Sequence, residues 1–565
     1  MTGGDAARVF SIEGGRSESD MTPALVGGKA ANLARLDRLG LAVPPAIVLP
    51  TSLCRRYLER GTLPDDVRPS LAGSLRQIER ATGCTLGGSP PLLVSVRSSP
   101  PSSMPGMLRT VVNVGTTEDT ALALTRRTGN PWQAWDVYRR FVRSFGEAAG
   151  QCPAQVLDRI EVEQLGRAQV ARIDDLDAIE LRRLARDTAA AVARHGGRAI
   201  PTDPLDQLVA AVEAVFASWN APAAVEYRRI NGLEAETGTA ALIQAMAFGN
   251  AGTRSGSGVC FTRNPATGAR ELYVDFAFNA QGDDVVGGRE TVQDAASLAA
   301  RLPDAWAQLT HAAARLEREF GDMQDVEFTI EEGVLFFLQC RSGKRTPWAA
   351  LQIAVDLVQE GVIDAETARA RLERVDLEAI RRVTLRPDAG TEPIGRATAA
   401  SVGVASGAVV FDADRASALG ARTPVVLVRD EMSTDDLRGL AASVGVLTAS
   451  GGRTSHAAVV ARQLGRVCLV GCGDLHIDQQ GATCTIGPRR LCEGDVVTLD
   501  GEAGAVYAGK LPVVTERPAA ALAIVRGWPR HVECDRSRTA VEIDSFSPPH
   551  EGRHVTHCCT PDIPR

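Results

Sequence analysis

The sequence predicts a multidomain α/β protein, and three observations lead to that prediction. The chain has 565 residues, which is too long for one ordinary hydrophobic core and suggests about three or four units. Two regions combine short β-rich runs with Gly and Pro turns. The stretches between them show the spacing of amphipathic helices, so we expect two α/β bodies joined by helices.

The composition excludes several classes of protein. Hydrophobic residues make up 44% of the chain and charged residues 23%, as in a folded globular protein rather than a disordered one. The formal net charge of −7 is small and both signs are interspersed, so we expect no nucleic-acid partner. Because no apolar run resembles a signal peptide or a membrane span, we expect no membrane partner and a cytoplasmic location.

The first body is predicted to begin with VGGKAANLARLDRLG, a glycine turn that opens an amphipathic helix. The apolar run PLLVSVRSS is predicted to be a strand that ends in a loop. Residues from about 155 to 220 are rich in Ala, Leu, Arg and Asp and are predicted to be helical. The segment VEFTIEEGVLFFLQCRSGKR is predicted to form a hairpin that turns at Glu332 and Gly333.

A helical pattern over residues 347 to 385 precedes a segment punctuated by Pro387 and Gly395, which is typical of a linker between domains. From Gly395 to Lys510, short β-runs such as TPVVLVR surround one clear helix, SHAAVVARQLG. This pattern predicts a compact second body. The residues after Lys510 have no clear periodicity, so we expect a loosely ordered tail.

One histidine lies where a helix is predicted to begin, because the polar run in GGRTSHAAVVAR leads directly into His456. At a helix start, the unpaired N–H groups and the positive end of the dipole favour neutral, nucleophilic imidazole. They would also stabilise a phosphoryl group attached to it. The same spacing fits a helix that Thr454 or Ser455 caps beside a structural histidine. The residues alone leave both interpretations open.

Two cationic side chains of the first body lie in segments suited to phosphate. Lys29 belongs to the glycine turn, and Arg97 ends a strand just before the loop SSPPSSMPGM. Backbone amides of Gly-rich loops hold phosphate oxygens, while Lys supplies a point charge and Arg a planar fork. Each signal is weak by itself, because a lone Gly-Gly-Lys is more commonly an ordinary turn.

Two carboxylates of the predicted hairpin share one face. Strand alternation places Asp325 and Glu327 on one side and Val326 and Phe328 on the other. Carboxylates on one side of a strand can hold Mg²⁺. An edge strand with a solvated acidic face is the competing interpretation.

Taken in order, these segments resemble the pyruvate, phosphate dikinase family, which is related to phosphoenolpyruvate synthase and to the first enzyme of the sugar phosphotransferase system. The resemblance runs over about residues 10 to 510. It is carried by VGGKAANLARLDRLGLAVPP, LVSVRSSPPSSMPGML, GNPWQAWDVYRRFVRSFG, IQAMAFGN, GVCFTRNPATG, NAQGDDVVGG, QDVEFTIEEGVLFFLQCRSGKR, GGRTSHAAVVAR and EGDVVTLDGEAG.

The resemblance implies a specific organisation of domains. An ATP-grasp nucleotide-binding domain would span residues 1–346, with a helical insertion at about 155–220. A helical linker over 347–394 would lead to a swivelling β/β/α phosphohistidine domain over 395–510. Residues 511–565 would form a tail of unknown role.

The resemblance also assigns site residues. His456 is implied as the phosphoryl carrier, and Thr454 matches a threonine that a regulatory enzyme modifies in some members. The implied ATP-binding residues are Lys29, Arg97, Met246, Asp325 and Arg341. The implied metal-holding pair is Glu327 and Gln339.

The implied chemistry uses Mg²⁺, ATP and inorganic phosphate, and it yields AMP, pyrophosphate and phospho-His456. In the family a TIM barrel that binds pyruvate or phosphoenolpyruvate follows the carrier domain, and the residues after Lys510 are too few to form one. We therefore expect the pyruvate step to be performed by a separate chain or to be lost. The alternatives are a degenerate ATP-binding or phosphocarrier regulatory protein, and transfer to another small molecule.

The sequence departs from the family pattern at several positions. Pro100 and Pro101 follow Ser99 in what is usually a flexible phosphate loop, so we expect a less mobile loop. Asp275 replaces a usual glutamate. Ser450 stands where the family usually has arginine.

Overall fold

The computed structural model describes residues 8–104, 106–150, 152–196, 199–236, 238–286, 292–386, 391–432, 436–452, 456–478 and 482–529. For four residues of the helix that begins at His456, the model describes only the backbone. These residues are His456, Ala457, Val459 and Gln463. The described elements form two α/β bodies joined by a helical segment. The predicted multidomain α/β fold is therefore confirmed.

The first body is built on two antiparallel sheets. Its strands are β1 (Phe10–Ile12), β2 (Ala46–Leu49), β3 (Thr85–Leu86), β4 (Pro91–Leu92), β5 (Val94–Ser99), β6 (Thr110–Val114), β7 (Ala240–Ala245), β8 (Gly256–Phe261), β9 (Tyr273–Phe278), β10 (Gln324–Glu331) and β11 (Val334–Ser342). A five-stranded sheet has the order β1-β2-β7-β5-β6, and a four-stranded sheet has the order β11-β10-β8-β9. The short strands β3 and β4 pair separately.

Helices cover both sheets of the first body. They are α1 (Pro23–Arg38), α2 (Thr51–Arg60), α3 (Val67–Thr82), α4 (Glu118–Thr128), α5 (Pro131–Ala148), α6 (Ala154–Ala168), α7 (Ala178–Gly196), α8 (Pro204–Ala217), α9 (Pro222–Ile230), α10 (Gly282–Val286), α11 (Ala295–Arg301) and α12 (Pro303–Phe320). Leucines of α1 and α12 share one core with the four-stranded sheet. Apolar residues of α2, α3, α5 and α8 share another core with the five-stranded sheet.

The predicted hairpin is present as β10 and β11. Its turn lies at Glu332 and Gly333, both with positive φ, as a tight hairpin turn requires. Val326 and Phe328 point into the core shared with α1 and α12. Alternation along the strand therefore turns the carboxylates of β10 towards the opposite face of the sheet.

A helical segment follows the first body. It consists of α13 (Pro347–Gln359), α14 (Ala365–Leu372) and a short strand, β12 (Arg382–Leu385). Residues Ile353 and Leu357 of α13 pack against Phe261 at the end of β8. The segment is thereby attached to the four-stranded sheet.

The second body is a three-layer structure. Its strands are β13 (Gly395–Arg396), β14 (Thr398–Ser401), β15 (Val404–Val410), β16 (Val425–Arg429), β17 (Gly445–Thr448), β18 (Val467–Val470), β19 (Leu475–Asp478), β20 (Thr483–Ile486), β21 (Arg489–Cys492), β22 (Val496–Asp500) and β23 (Ala505–Ala508). Eight of them form a sheet of order β13-β23-β22-β15-β16-β17-β18-β14. The strands β19, β20 and β21 form a smaller sheet on one of its faces.

The helices of the second body are α15 (Ala413–Gly420), α16 (Leu437–Ala442) and α17 (His456–Gln463). They pack on the other face of the large sheet. The sequence predicted only α17. Helix α15 was missed because it is short, although Asp412 caps it by accepting from the N–H of Arg415.

The chain then returns to the helical segment, which corrects the prediction of a loosely ordered tail. Strand β24 (Val513–Glu516) pairs antiparallel with β12, and α18 (Ala519–Gly527) follows it. Leu522 and Val525 of α18 are buried against α13 and α14. The segment has too few residues to show a period in the sequence, and the helices it packs on supply its order. Residues 530–565 lie outside the described part of the chain.

No single helix within the described ranges is long and apolar enough to cross a membrane. One bent pair, Pro204–Asn220 with Pro222–Ile230, has the length and composition, with an angle of 47° between its parts. Leu208, Val212 and Phe216 of this pair are buried in the core under the five-stranded sheet.

Candidate functional site

The glycine turn that carries Lys29 packs closely against the loop after β5 and is hydrogen-bonded to it. Gly27 adopts φ 75° and ψ 163°, a conformation open to glycine, and a Cβ there would lie 1.7 Å from the carbonyl oxygen of Ser99. The N–H of Gly28 donates to the Pro100 carbonyl at 2.9 Å, and the N–H of Ala30 donates to Ser99 Oγ at 3.1 Å. These bonds anchor the start of the proline-containing loop.

Arg97 crosses from one sheet of the first body to the other. It lies on β5 of the five-stranded sheet, yet its Nη2 donates to Glu327 Oε2 and to Gln339 Oε1, each at 3.3 Å. Its Nη1 donates to the Leu338 carbonyl at 3.3 Å. The cleft between the two sheets is therefore where these predicted site residues meet.

Arg341 and Asp325 complete this group. They are cross-strand partners on β11 and β10, and Arg341 Nε donates to Asp325 Oδ2 at 2.8 Å. Arg341 Nη2 lies 4.0 Å from Glu327 Oε1. Among the described residues, none donates a hydrogen bond to the buried Oδ1 of Asp325. We call the six residues Lys29, Arg97, Asp325, Glu327, Gln339 and Arg341 the cleft cluster.

The electrostatics of the cleft cluster favour an anionic ligand. The pKa of Lys29 is lowered to about 8, chiefly by burial and also by the charges of Arg97 and Arg341, while Glu327 opposes them. Burial would raise the pKa of Glu327, but the charges of Arg97, Arg341 and Lys29 outweigh it and hold that pKa below its usual value. Three cationic side chains thus face two carboxylates.

The donor set of the cleft cluster also fits a divalent cation. Glu327 and Gln339 present oxygens to the same nitrogen of Arg97, so these oxygens lie near one another. Mg²⁺ prefers oxygen ligands, and it is commonly held by one or two carboxylates together with substrate phosphates. No group of three or more His, Cys, Asp or Glu side chains in the described ranges could hold a metal ion.

Met246 lies apart from the cleft cluster. Its N–H donates to the Leu93 carbonyl at 2.9 Å, just beyond the pairing of Ala245 with Val94. Arg97 pairs with Leu242 further along the same strand. Nearby, the N–H of Phe248 donates to Glu331 Oε2 at 3.1 Å, which ties this segment to β10.

His456 begins helix α17, as predicted. Its side chain and the whole of Thr454 lie outside the described part of the chain. The loop before them is described as far as Gly452. A Cβ at Gly452 would lie 3.5 Å from Asp275 Oδ2 and 3.3 Å from Val292 Cγ2. The loop that leads to His456 is therefore packed against the first body.

The structure adds contacts between the bodies that the sequence did not single out. The hydroxyl of Tyr273 on β9 donates to the Ala399 carbonyl on β14 at 2.8 Å. Beside this bond lies a cavity of about 620 Å³ that both bodies line. Arg462 of α17 is fully buried in the same region. The motif GGRTSHAAVVAR contains Arg462, but only the packing of two distant segments shows what it meets.

Comparison with known proteins bears directly on this arrangement. A family profile described as "Pyruvate phosphate dikinase, AMP/ATP-binding domain" matches residues 58–302 and 290–361, more than half of the chain. The chain belongs to this dikinase family. A second profile, "PEP-utilising enzyme, mobile domain", matches residues 421–504 within the second body. The resemblance stated from the sequence motifs is thereby confirmed.

The chain is also similar to individual members of the dikinase family. It is 41% identical over 504 residues to pyruvate, phosphate dikinase of Rhizobium meliloti, an alignment that covers 86% of this chain and 56% of the relative. The protein of the same name from Clostridium symbiosum is 42% identical over 494 residues, with 86% and 56% coverage. The chloroplastic protein of Flaveria pringlei is 41% identical, with 89% and 53% coverage. The chain thus spans about half the length of the curated relatives it matches.

Proposed function

We propose that this dikinase-family chain binds MgATP in the cleft of the first body and transfers a phosphoryl group from it to His456 of the second body. The observation that carries this proposal is the cleft cluster. Three cations from three different elements converge there with two carboxylates and one amide. A polyphosphate with an accompanying cation matches both signs of charge.

In the proposed reaction, His456 attacks the β-phosphorus of ATP, the bond between that phosphorus and the α,β-bridging oxygen breaks, and AMP leaves. Inorganic phosphate then attacks the terminal phosphorus of the pyrophosphorylated histidine. Pyrophosphate leaves, and the β-phosphoryl group remains on His456. Phosphoryl transfer demands mainly positioning and charge neutralisation from the protein.

Each residue of the cleft cluster has a task in this scheme. Lys29 and Arg341 would neutralise phosphate oxygens, and the planar fork of Arg97 would orient them. Glu327 and Gln339 would hold Mg²⁺, which supplies further neutralisation of the polyphosphate. Asp325 would keep Arg341 in place. Met246 would border the adenine. It follows the last residue of β7, whereas Arg97 pairs with Leu242 nearer the start of that strand.

The proposed domain boundaries, acceptor, regulatory residue and location rest on similarity to the dikinase family. We place the ATP-grasp domain at 1–346, the linker at 347–394 and the phosphohistidine domain at 395–510. The relatives are named for pyruvate, so pyruvate and phosphoenolpyruvate are the proposed acceptor pair, served by a separate chain. Thr454 is the proposed regulatory position, and the cytoplasm is the proposed location, although several relatives are named chloroplastic.

The test uses ATP radiolabelled at the β-phosphoryl group, with Mg²⁺ and phosphate. Wild type should acquire acid-labile label and release AMP, and His456→Ala should do neither. His476→Ala is a matched control, because His476 is an exposed histidine of the same body and should label normally. An unlabelled wild type that still binds ATP would contradict the proposal and favour a degenerate regulatory protein.

A further inference from the structure

The outer edge of strand β11 is held by groups that are not strands. β11 lies at the end of the order β11-β10-β8-β9, so among the described strands it pairs with β10 alone. An edge strand presents N–H and C=O groups that need other partners. Here the N–H of Phe337 donates to the Ala42 carbonyl at 2.8 Å. The carbonyls of Leu338 and Cys340 accept hydrogen bonds from side chains.

The two side chains that bind this edge come from different elements. Arg97 of β5 donates through Nη1 to the Leu338 carbonyl at 3.3 Å. Asn32 of α1 donates through Nδ2 to the Cys340 carbonyl at 2.9 Å. Gln339, a member of the cleft cluster, lies between the two accepting residues in the chain. The two hydrogen bonds therefore bracket a residue of the candidate site.

Helix α1 is attached to both sheets of the first body. Near its start, the N–H of Gly28 donates to the Pro100 carbonyl at 2.9 Å, in the loop that follows β5 of the five-stranded sheet. One turn further along, Asn32 binds β11 of the four-stranded sheet. Lys29 lies between these two attachments, and its spacing from Asn32 places both on one face of the helix. The helix thus connects the two walls of the cleft beside Lys29.

A bound polyphosphate would affect the two hydrogen bonds to β11 differently. Arg97 is charged, and a guanidinium binds phosphate oxygens more strongly than a neutral carbonyl. Its bond to the Leu338 carbonyl is also the longer of the two. The amide of Asn32 is neutral, so a phosphate gains less by drawing it away from the Cys340 carbonyl. Of the two side chains, Asn32 is therefore the one that still holds this edge when Arg97 binds the ligand.

We propose that Asn32 is a positioning residue that keeps the Cys340 edge of β11 in place while Arg97 binds the polyphosphate. This inference rests on the proposed function of the cleft. Gln339, the proposed metal ligand, and Arg341, a proposed phosphate contact, flank Cys340 in the chain. A shift of this edge would displace both side chains from the ligand.

The test measures nucleotide affinity and stability in the same variants of the full chain. Affinity is measured by calorimetric titration with Mg²⁺ and α,β-methylene-ATP, an analogue that cannot release AMP. Asn32→Ala removes the amide donor, and alanine favours the helical conformation. Affinity for the analogue should fall about threefold to tenfold, the range expected for one lost neutral hydrogen bond. Asn32→Gln restores an amide and should recover part of the loss.

The matched control is Arg35→Met, on the next turn of α1. Arg35 donates through Nη2 to the Glu319 carbonyl at 2.8 Å, so it attaches the same helix to α12 rather than to β11. Its affinity for the analogue should match wild type even where its urea unfolding midpoint falls as far as that of Asn32→Ala. A purely structural role for Asn32 would lower stability alone. Asn32→Leu, which has a similar volume and no donor, keeps the proposal testable where Asn32→Ala fails to fold.

Labelling of His456 separates this inference from the proposed function. At saturating ATP, single-turnover labelling should slow in Asn32→Ala by a factor similar to the loss of affinity. Affinity and labelling that match wild type in Asn32→Ala, or an equal loss in Arg35→Met, would overturn the inference while phosphoryl transfer stands. A wild type that binds the analogue without becoming labelled, with affinity lost in Asn32→Ala, would uphold the positioning role and contradict phosphoryl transfer. A wild type that binds no nucleotide would contradict both.

Discussion

Two groups of charges lie in the first body, one buried and one partly exposed, and they are built differently. The first joins α5 to α10 and to the segment between β7 and β8. Arg139 and Arg140 contact Asp136 at 2.6 and 2.7 Å, and Arg140 also binds Asp284 at 2.8 Å. Asn250 donates to Asp136 at 3.1 Å. In this group two cations balance two carboxylates through short bonds.

The cleft cluster contrasts with that closed network. The hydrogen bonds of Arg97 are each 3.3 Å long. In the cleft cluster three cations outnumber two carboxylates. Oδ1 of Asp325 also accepts no hydrogen bond from the described residues. Charges that satisfy one another stabilise a fold, whereas an excess of cations is suited to an anionic ligand. The predictions below test that difference.

The largest effect is expected at the closed network. Replacing Asp136 with Ala leaves two buried guanidinium groups without their shared carboxylate, which should cost about 3–5 kcal/mol of unfolding free energy. Urea unfolding, followed by the fluorescence of Trp132 and Trp135 on α5, measures it. Glu226→Ala, which breaks an exposed pair with Arg229, should leave the unfolding midpoint unchanged. A small loss in Asp136→Ala would show that the network is not structural.

Arg97→Met should show the opposite pattern. Its long bonds contribute little to folding, so urea unfolding should stay close to wild type. Loss of one preorganised donor should slow labelling from ATP roughly 100- to 1000-fold, or about 3–4 kcal/mol. Single-turnover labelling measures the rate. A large loss of stability with unchanged labelling per folded molecule would remove the contrast between the two groups.

Gly27→Ala tests whether the backbone, rather than ion pairs, assembles the cleft cluster. A Cβ at Gly27 meets Ser99 at 1.7 Å, so the turn and the loop must separate. The strained backbone should cost about 1–3 kcal/mol of unfolding free energy, and ATP affinity should fall with it. Gly61→Ala is a suitable control, because Gly61 also has positive φ but a Cβ there meets no atom. Equal ATP affinity in both variants would contradict the idea that packing of this turn against the loop after β5 assembles the cleft cluster.

The smallest effect concerns the pH dependence of ATP binding. The pKa of Lys29 is lowered to about 8, and a bound triphosphate favours its charged form and raises that pKa. Affinity should therefore be constant below this pH and fall as pH rises through it, by up to about tenfold per pH unit. Calorimetric titration of ATP across this range measures it. Lys29→Arg, which stays charged, should flatten the profile, and a persistent slope would assign the titration to another group.

The sequence by itself determined much of this protein. Strand alternation placed Asp325 and Glu327 on one face, the glycine turn marked Lys29, and ordered motifs identified the family, because these signals are local or collinear. It also predicted the hairpin turn at Glu332 and Gly333. The sequence did not predict β24 and α18, because the order of this segment comes from its pairing with β12 and its packing on α13 and α14.

Tertiary structure decided which distant residues meet. Arg97 on β5 and Gln339 on β11 come together only because the two sheets face each other across a cleft. Arg462 and Phe261 are about 200 residues apart in the chain and meet only because the second body is packed on the β8 and β9 half of the sheet. Charge complementarity and burial act between surfaces, and neither can be read from the spacing of residues along one strand or helix.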